Sequence, residues 1–307
     1  MKKIICGIQQ MGIGVPNVQE IWKWYRENLG INIKVFEEAA EAPLMTRYTG
    51  GQVHSRTATL ALSMEGGGGF EIWQFTSRPT EKSTEPIILG DFGLYACRIK
   101  SKDVKATHAF LTKKGAKVLS EPQQLPNGSY HFLVEDPNGN LFDIVEGSGW
   151  FMETGFEGKT GGVAGSMIGV SSIEKALPLY QTILGYDKIV YDVTDTFDAF
   201  NNIPNGNYKV RRVLLQHTEE RKGPFAKLLG PSQIELIQAV DRTDAKSIFK
   251  NRFWGDWGFI HLCFDIQGMD ALKKECEENN YPFHSEKFLK PKSDSFLGDA
   301  VCDSACF

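Results

Sequence analysis

Two glutamates stand at the same place in a repeated, strand-like stretch. Phe70-Glu71-Ile72-Trp73-Gln74, with Arg78 behind it, returns as Ile234-Glu235-Leu236-Ile237-Gln238 with Arg242. Alternate residues of a strand share a face, so Glu71 is expected beside Trp73 and Phe75, with Phe70, Ile72 and Gln74 opposite. A carboxylate on such a face can donate oxygen to a hard divalent cation or take a proton as a general base. Arg98 carries the opposite implication. It is expected on one face with Leu94 and Ala96, with Tyr95, Cys97 and Ile99 under a helix, and its permanent charge can neutralise a carboxylate without metal. His261, on a strand of its own, is a further nitrogen donor, although a lone strand histidine is more often a hydrogen-bonded core residue than a ligand. The glycine run 66–69 lies between two strands with no helix or Lys-Ser/Thr after it, so it reads as a hairpin turn rather than a phosphate cradle.

The elements that carry these residues are themselves duplicated. Ile13-Gly14-Val15, Tyr25 and Leu29-Gly30 recur as Ile168-Gly169-Val170, Tyr180 and Leu184-Gly185, and Asp91-Phe92-Gly93 recurs as Asp256-Trp257-Gly258. The offset drifts from 155 to 164 to 165, as one insertion of about nine residues would give. An ordered series of matches at a nearly constant offset marks a tandem duplication. Within a copy, Asn17 with Glu20 resembles a capping box, and Val18, Ile21, Trp22, Tyr25 and Leu29 fall at helical spacing before the Gly30 stop. Strands are expected near 32–37, 53–64 and 70–76. The second half repeats the plan: a strand at 93–100, a helix through Val104, Thr107 and Leu111, then strands near 117–119, 129–135 and 140–146. Asp136-Pro137-Asn138-Gly139 is a turn in which proline presets one backbone angle and glycine accepts the unusual one. Each copy is therefore βαβββ twice over. Residues 1–148 and 161–307 are read as the two domains, with a glycine-rich linker at 149–160.

A chain of 307 residues suits two domains of about 150 residues each. A net charge of −4 and a pI near 5.9 argue against a dedicated nucleic-acid or anionic-membrane surface. No stretch approaches the ~20 apolar residues of a membrane span, and the apolar start breaks at Gln9-Gln10, too soon for a secretory segment. Cys6, Cys97, Cys263, Cys276, Cys302 and Cys306 form no C-x-x-C pair and share no spacing between the copies. They read as buried thiols in a reducing compartment, so a cytoplasmic location is expected.

The strand ending Ile13-Gly14-Val15-Pro16-Asn17, the helix with Tyr25 ending Leu29-Gly30, and Asp136-Pro137-Asn138-Gly139-Asn140 with Asp143 resemble the vicinal oxygen chelate superfamily. That group includes glyoxalases, extradiol dioxygenases and bleomycin-resistance proteins. The resemblance covers nearly the whole chain. It implies an α+β fold of tandem glyoxalase-like domains, in which paired βαβββ modules form a curved sheet cup with a divalent metal on its inner face. The family's four ligand positions are His or Gln on the first strand, Glu on the fourth, His on the fifth and Glu on the eighth. They fall on Gln10, Glu71, Ala96 and Asp143 in the first copy, and on Gly165, Glu235 and His261 in the second. The second copy's fourth position lies about eleven residues past Phe307, which implies that its domain lacks the last strand and that the sequence is a fragment or has an altered C-terminus. His54, His108, His131, His217 and His284 match no ligand position and are assigned surface or structural roles.

Grouped by copy, Gln10, Glu71, Asp143 and Arg98 are expected in one cavity, and Glu235 is expected to face His261 in the other. The resemblance points to Glu71 and Glu235 as catalytic carboxylates and to Gln10, Glu71, Asp143, Glu235 and His261 as metal ligands for Zn, Ni, Mn or Fe. Trp73, Phe75 and Arg98 would line a substrate pocket. The implied function is lyase, isomerase or dioxygenase chemistry on a small vicinal-oxygen substrate. The alternatives are a metal-free protein that binds or sequesters a small molecule, and a structural role with both cups degenerate. The expected partner is a small molecule, not nucleic acid or membrane, and assembly into a homo-oligomer stays open.

Overall fold

A computed structural model of the protein describes residues 2–283. The strand predicted to be missing, together with His284, Cys302 and Cys306, lies outside the described residues. The chain runs β1 (Ile4–Gly14), α1 (Val18–Leu29), β2 (Ile33–Glu41), β3 (Ser55–Leu62) and β4 (Gly69–Phe75). A second module holds β5 (Gly93–Ser101), α2 (Val104–Lys113), β6 (Lys117–Val118), β7 (Gln123–Gln124), β8 (Tyr130–Glu135) and β9 (Leu141–Glu146). The third holds β10 (Thr160–Gly169), α3 (Ile173–Pro178), β11 (Lys188–Asp195), β12 (Val210–Gln216), α4 (Ala226–Leu229) and β13 (Gln233–Ala239). The fourth contributes β14 (Gly258–Gln267) and α5 (Met269–Glu278).

Local chemistry explains the helix boundaries. Asn17 caps α1 by accepting from the backbone N–H groups of Gln19 and Glu20, and Gly30 ends it in the left-handed conformation at φ 69°. Asp103 caps α2 and Ser172 caps α3 in the same way. The repeated glutamines complete the caps. Gln74 Oε1 accepts from Val18 N at 3.1 Å, and Gln238 Oε1 accepts from Ile173 N at 2.9 Å. Each glutamine ties the start of a helix to a strand of its own module, and that accounts for its recurrence.

The strand order crosses the repeat. One sheet is β14-β1-β4-β3-β2, and the other is β11-β12-β13-β10-β5-β9-β8-β6 with β7 on β8. The first module therefore shares a sheet with the fourth, and the second with the third. Two matched ion pairs hold this arrangement. Arg78 meets Asp256 at 2.5 Å, and Arg242 meets Asp91 at 2.7 Å. Each repeated arginine reaches the repeated aspartate of the other copy. Both aspartates also accept backbone N–H groups, Asp256 from Glu81 and Phe253, Asp91 from Ile88 and Lys246.

One apolar core lies on the helix side of both sheets. Tyr25 packs on Phe70 and Phe142, and Phe142 packs on Phe259, with centroid distances of 4.8, 5.9 and 5.5 Å. The Tyr25 hydroxyl donates to Asp136 Oδ2 at 2.6 Å, which fastens α1 to the Asp136–Asn140 turn of the next module. The glycine run is a turn, as expected, but it also forms a seam between the copies. A Cβ on Gly67 would fall 2.7 Å from Gly162, and Gly68 bridges Val163. Only residues without side chains permit that approach. Lys100 pins the linker by donating to the Gly149 carbonyl at 2.8 Å.

Candidate functional site

Because the sheets cross the repeat, the expected site residues sort differently from the grouping by copy. Gln10 and Glu71 do not meet Asp143 and Arg98. Glu71, bonded to Gln10, meets His261, while Arg98 meets both Asp143 and Glu235. The expected pairing of Glu235 with His261 is likewise not found, since the two lie in different sheets. The offsets in the sequence identify equivalent positions, but hydrogen-bonded ladders decide which strands are neighbours.

In the five-stranded sheet, β1 runs antiparallel to β14 and parallel to β4, with Gly12 opposite both His261 and Glu71. Gln10 Nε2 donates to Glu71 Oε2 at 2.6 Å, and His261 Nε2 lies 3.0 Å from the same oxygen. Gly12 makes this possible, because a Cβ there would fall 2.4–2.6 Å from the imidazole ring. Burial pushes the Glu71 carboxyl up, but contact with His261, the charge of Arg56 and the Gln10 amide outweigh it and hold it below the usual range. Trp73 and Phe75 share the face of Glu71, as alternation predicts. Trp254, which the sequence did not single out, stacks on His261 at 5.7 Å and 18° and meets Trp73 edge-on at 4.6 Å. The Arg56 guanidinium lies 5.0 Å from the Trp73 ring.

The donor set of an amide oxygen, a carboxylate and an imidazole on three adjacent strands fits a borderline divalent ion such as Zn, Mn, Fe or Ni. Three protein donors with an open position is the pattern of catalytic rather than structural sites. Among the described residues no cluster of three His, Cys, Asp or Glu is suited to a metal, so the amide of Gln10 is essential to the count.

The nine-stranded sheet holds a different centre. Arg98 Nε lies 3.2 Å from Asp143 Oδ2, and its Nη1 lies 3.7 Å from Glu235 Oε2. Arg212 Nε meets Glu235 Oε1 at 2.6 Å, the Tyr191 hydroxyl donates to that oxygen at 2.7 Å, and His131 Nδ1 lies 2.7 Å from Asp143 Oδ1. Arg98, Asp143 and Glu235 have no exposed side-chain surface. Burial pushes Glu235 up, but Arg212 and Arg98 pull it down to about 2. A carboxyl held there cannot accept a proton near neutral pH. Ala96 and Gly165 supply no donor, so these residues do not fit a metal. Arg98, expected to line a substrate pocket with Trp73 and Phe75, is instead sealed inside this second cup. The face assignment on β5 also needs correction. A register shift opposite Met167 and Ile168 turns Tyr95 toward the cup, where it packs with Ala96, Met167 and Phe200, and sends Leu94 to the helix side.

Comparison with known proteins agrees with this architecture. A profile of the Glyoxalase/Bleomycin resistance protein/Dioxygenase superfamily matches residues 7–144, and a second of the same superfamily matches residues 166–296. Among solved structures, a putative dioxygenase from Bacillus subtilis is 15% identical with a TM-score of 0.57, over 91% of this chain and 76% of that one. Glyoxalase I from Zea mays is 14% identical with a TM-score of 0.51, over 90% and 80%, and its V278E variant has a TM-score of 0.54. At these identities the likeness concerns the fold. No curated protein matches the sequence. With both copies matched, the chain belongs to the Glyoxalase/Bleomycin resistance protein/Dioxygenase superfamily.

Proposed function

We infer that the cup of the five-stranded sheet is the working site of a metal-dependent enzyme acting on a small substrate with adjacent oxygens, and that the other cup is structural. The observation that carries this reading is the convergence of Gln10, Glu71 and His261 from three adjacent strands over the empty side of Gly12. Gln10, turned to present Oε1, would hold the ion with Glu71 and His261. A divalent ion supplies Lewis acidity that stabilises negative charge on a bound oxygen. Glu71, held deprotonated below the usual carboxylate range, presents a full negative charge to the ion. Trp73, Trp254 and Phe75 exclude water from the reacting centre and hold the substrate flat against it. Glu235 takes no part, because two guanidinium groups occupy its oxygens. The family's range supports lyase, isomerase or dioxygenase chemistry.

Acetohydroxamate, a small chelator with two adjacent oxygens, tests the reading. Binding at 1:1 by calorimetry in protein loaded with Mn or Zn, lost after chelator treatment and in Glu71→Gln, is the expected result. Equal binding after the metal is stripped would favour a metal-free sequestering protein instead.

A further inference from the structure

The candidate centre is nearly closed to solvent. Gln10, His261 and Glu71 are 2%, 4% and 9% exposed, so an ion or a substrate reaches them only when part of the cover moves. Two segments contribute to that cover. Residues 253–256, which include Trp254, are fixed in place, because the buried Asp256 accepts from Phe253 N and pairs with Arg78. The other segment is the β2–β3 connection, residues 42–54. Its Ala42, Met45 and Tyr48 pack on the cluster of Ala58, Trp73, Trp254 and Ile260.

The equivalent connections of the two copies are built differently. In the nine-stranded sheet, residues 196–209 plug the cup. Ala199, Phe200 and Ile203 are buried, and Phe197 and Phe200 lie against the Arg212 guanidinium at 4.5 and 4.8 Å. Asn202 Nδ2 adds a bond to the Leu119 carbonyl at 2.7 Å. In the five-stranded sheet, by contrast, the short 3₁₀ helix Pro43–Tyr48 buries none of its residues. Few buried apolar contacts are the mark of a segment that opens at low cost.

This connection is held together mainly from within. Gly51 N–H meets the Thr46 carbonyl at 2.8 Å, and the Thr49 hydroxyl donates to the Gln52 carbonyl at 2.6 Å. Its neck is closed where Ala42 N–H meets the His54 carbonyl at 3.0 Å. A compact loop with joined ends is a recurrent functional unit. Gly50 and Gly51 turn the chain back toward the neck at φ 65° and 82°. Among the described residues nothing lies within 4 Å of a Cβ placed on Gly51, so the outer side of the loop is unobstructed.

We propose that residues 43–53 are a lid on the first cup, which swings as a unit on the Ala42–His54 neck. Opening breaks the bond from Trp254 N to the Tyr48 carbonyl, 3.2 Å long, and lifts Met45 and Tyr48 off the indoles. Closing returns them and keeps bulk water from His261. The plugged connection of the other copy stays shut. That the lid admits substrate rests on reading Gln10, Glu71 and His261 as the working site, whereas the movement itself does not.

Diethyl pyrocarbonate, which acylates an imidazole nitrogen it can reach, tests this on the chelator-treated full chain. His261 and His131 are followed separately by peptide mass spectrometry, each rate taken relative to that in urea-unfolded protein. His131, 2% exposed and bonded to Asp143 in the plugged cup, is the internal control. His261 should react faster than His131 in the unaltered chain. Replacing residues 43–53 by Asn-Gly closes the hairpin on the Ala42–His54 pair as a two-residue turn. That change should speed His261 roughly tenfold or more, since a minor open state is populated at about 10% or less, and leave His131 unchanged. Met45→Ala combined with Tyr48→Ala, a lighter burden on folding, should act in the same direction by a smaller factor. In protein that retains an ion, its loss to EDTA should quicken in both variants. If no ion is retained while His261 behaves as expected, the reading of the centre fails and the lid stands. His261 reacting no faster than His131, or at a rate that neither lid variant changes in folded protein, would overturn the proposal.

Discussion

The two cups are built on the same ladders, and four side chains separate them. On β3, Ala58 lies opposite Trp73, and the equivalent place on β12, opposite Ile237, is Arg212. On β14, Cys263 lies opposite Gln10, and the equivalent place on β5, opposite Gly165, is Arg98. His261 has its counterpart in Ala96, and Gln10 in Gly165. One cup thus keeps small residues around a carboxylate and an imidazole. The other gives up its donors and receives two guanidinium groups, which form ion pairs with Glu235 and, through Arg98, with Asp143. The plugs differ too, with Trp254 over the first centre and Leu89, fully buried, at the same repeat position in the second. Internal cations make a cup a stable part of the core, while leaving the carboxylate without them keeps it available for an ion.

The largest expected effect of breaking this contrast is on stability. Removing one member of a buried charge network strands the others and typically costs about 3–5 kcal/mol. Arg98→Met should lower the free energy of urea unfolding by that amount, whereas Glu71→Gln in the other cup should change it by less than about 1 kcal/mol. Similar losses in the two would erase the distinction.

Acid should separate the cups next. Glu235 sits at about 2 in the folded protein against an ordinary 4.5. A depressed carboxyl stabilises the fold above its unfolded value and loses that contribution as pH falls through the folded one. Its share, on the order of 3 kcal/mol, should be present above pH ~4.5 and fade toward pH ~2. Unfolding curves of Glu235→Gln across that window should be correspondingly flatter than those of the unaltered chain.

The smallest effect concerns the fasteners that serve both cups alike. Arg78→Ala and Arg242→Ala each release one repeated aspartate, and each should cost about 1–3 kcal/mol, mainly for the buried carboxylate left behind. The two losses should be similar because the pairs are equivalent. A large inequality would mean that the fourth module is held less firmly than the second.

Much of this was legible in the sequence. Asn17, Tyr25 and Gly30 mark a helix because capping and 3.6-residue spacing are local properties. The repeated Glu71 and Glu235 mark equivalent strands because alternation is local as well. Partnership was not legible. Nothing local records that β1 lies beside β14 rather than beside a strand of its own copy, so Asp143 and His261 were assigned to each other's cups. Arg212 passed unnoticed because its counterpart is an alanine, and a repeat comparison draws attention to matches. Tyr95 and Leu94 changed faces at a register shift that no alternating pattern reveals.

The claim that a working centre is assembled from both copies is tested most directly by metal stoichiometry. Folded protein dialysed against Mn or Zn should retain one ion per chain by elemental analysis. Glu71→Gln and His261→Ala, one from each copy, should each abolish it, while Glu235→Gln and Asp143→Asn should leave it unchanged. Retention of the ion in His261→Ala, or its loss in Glu235→Gln with the fold intact, would contradict the account.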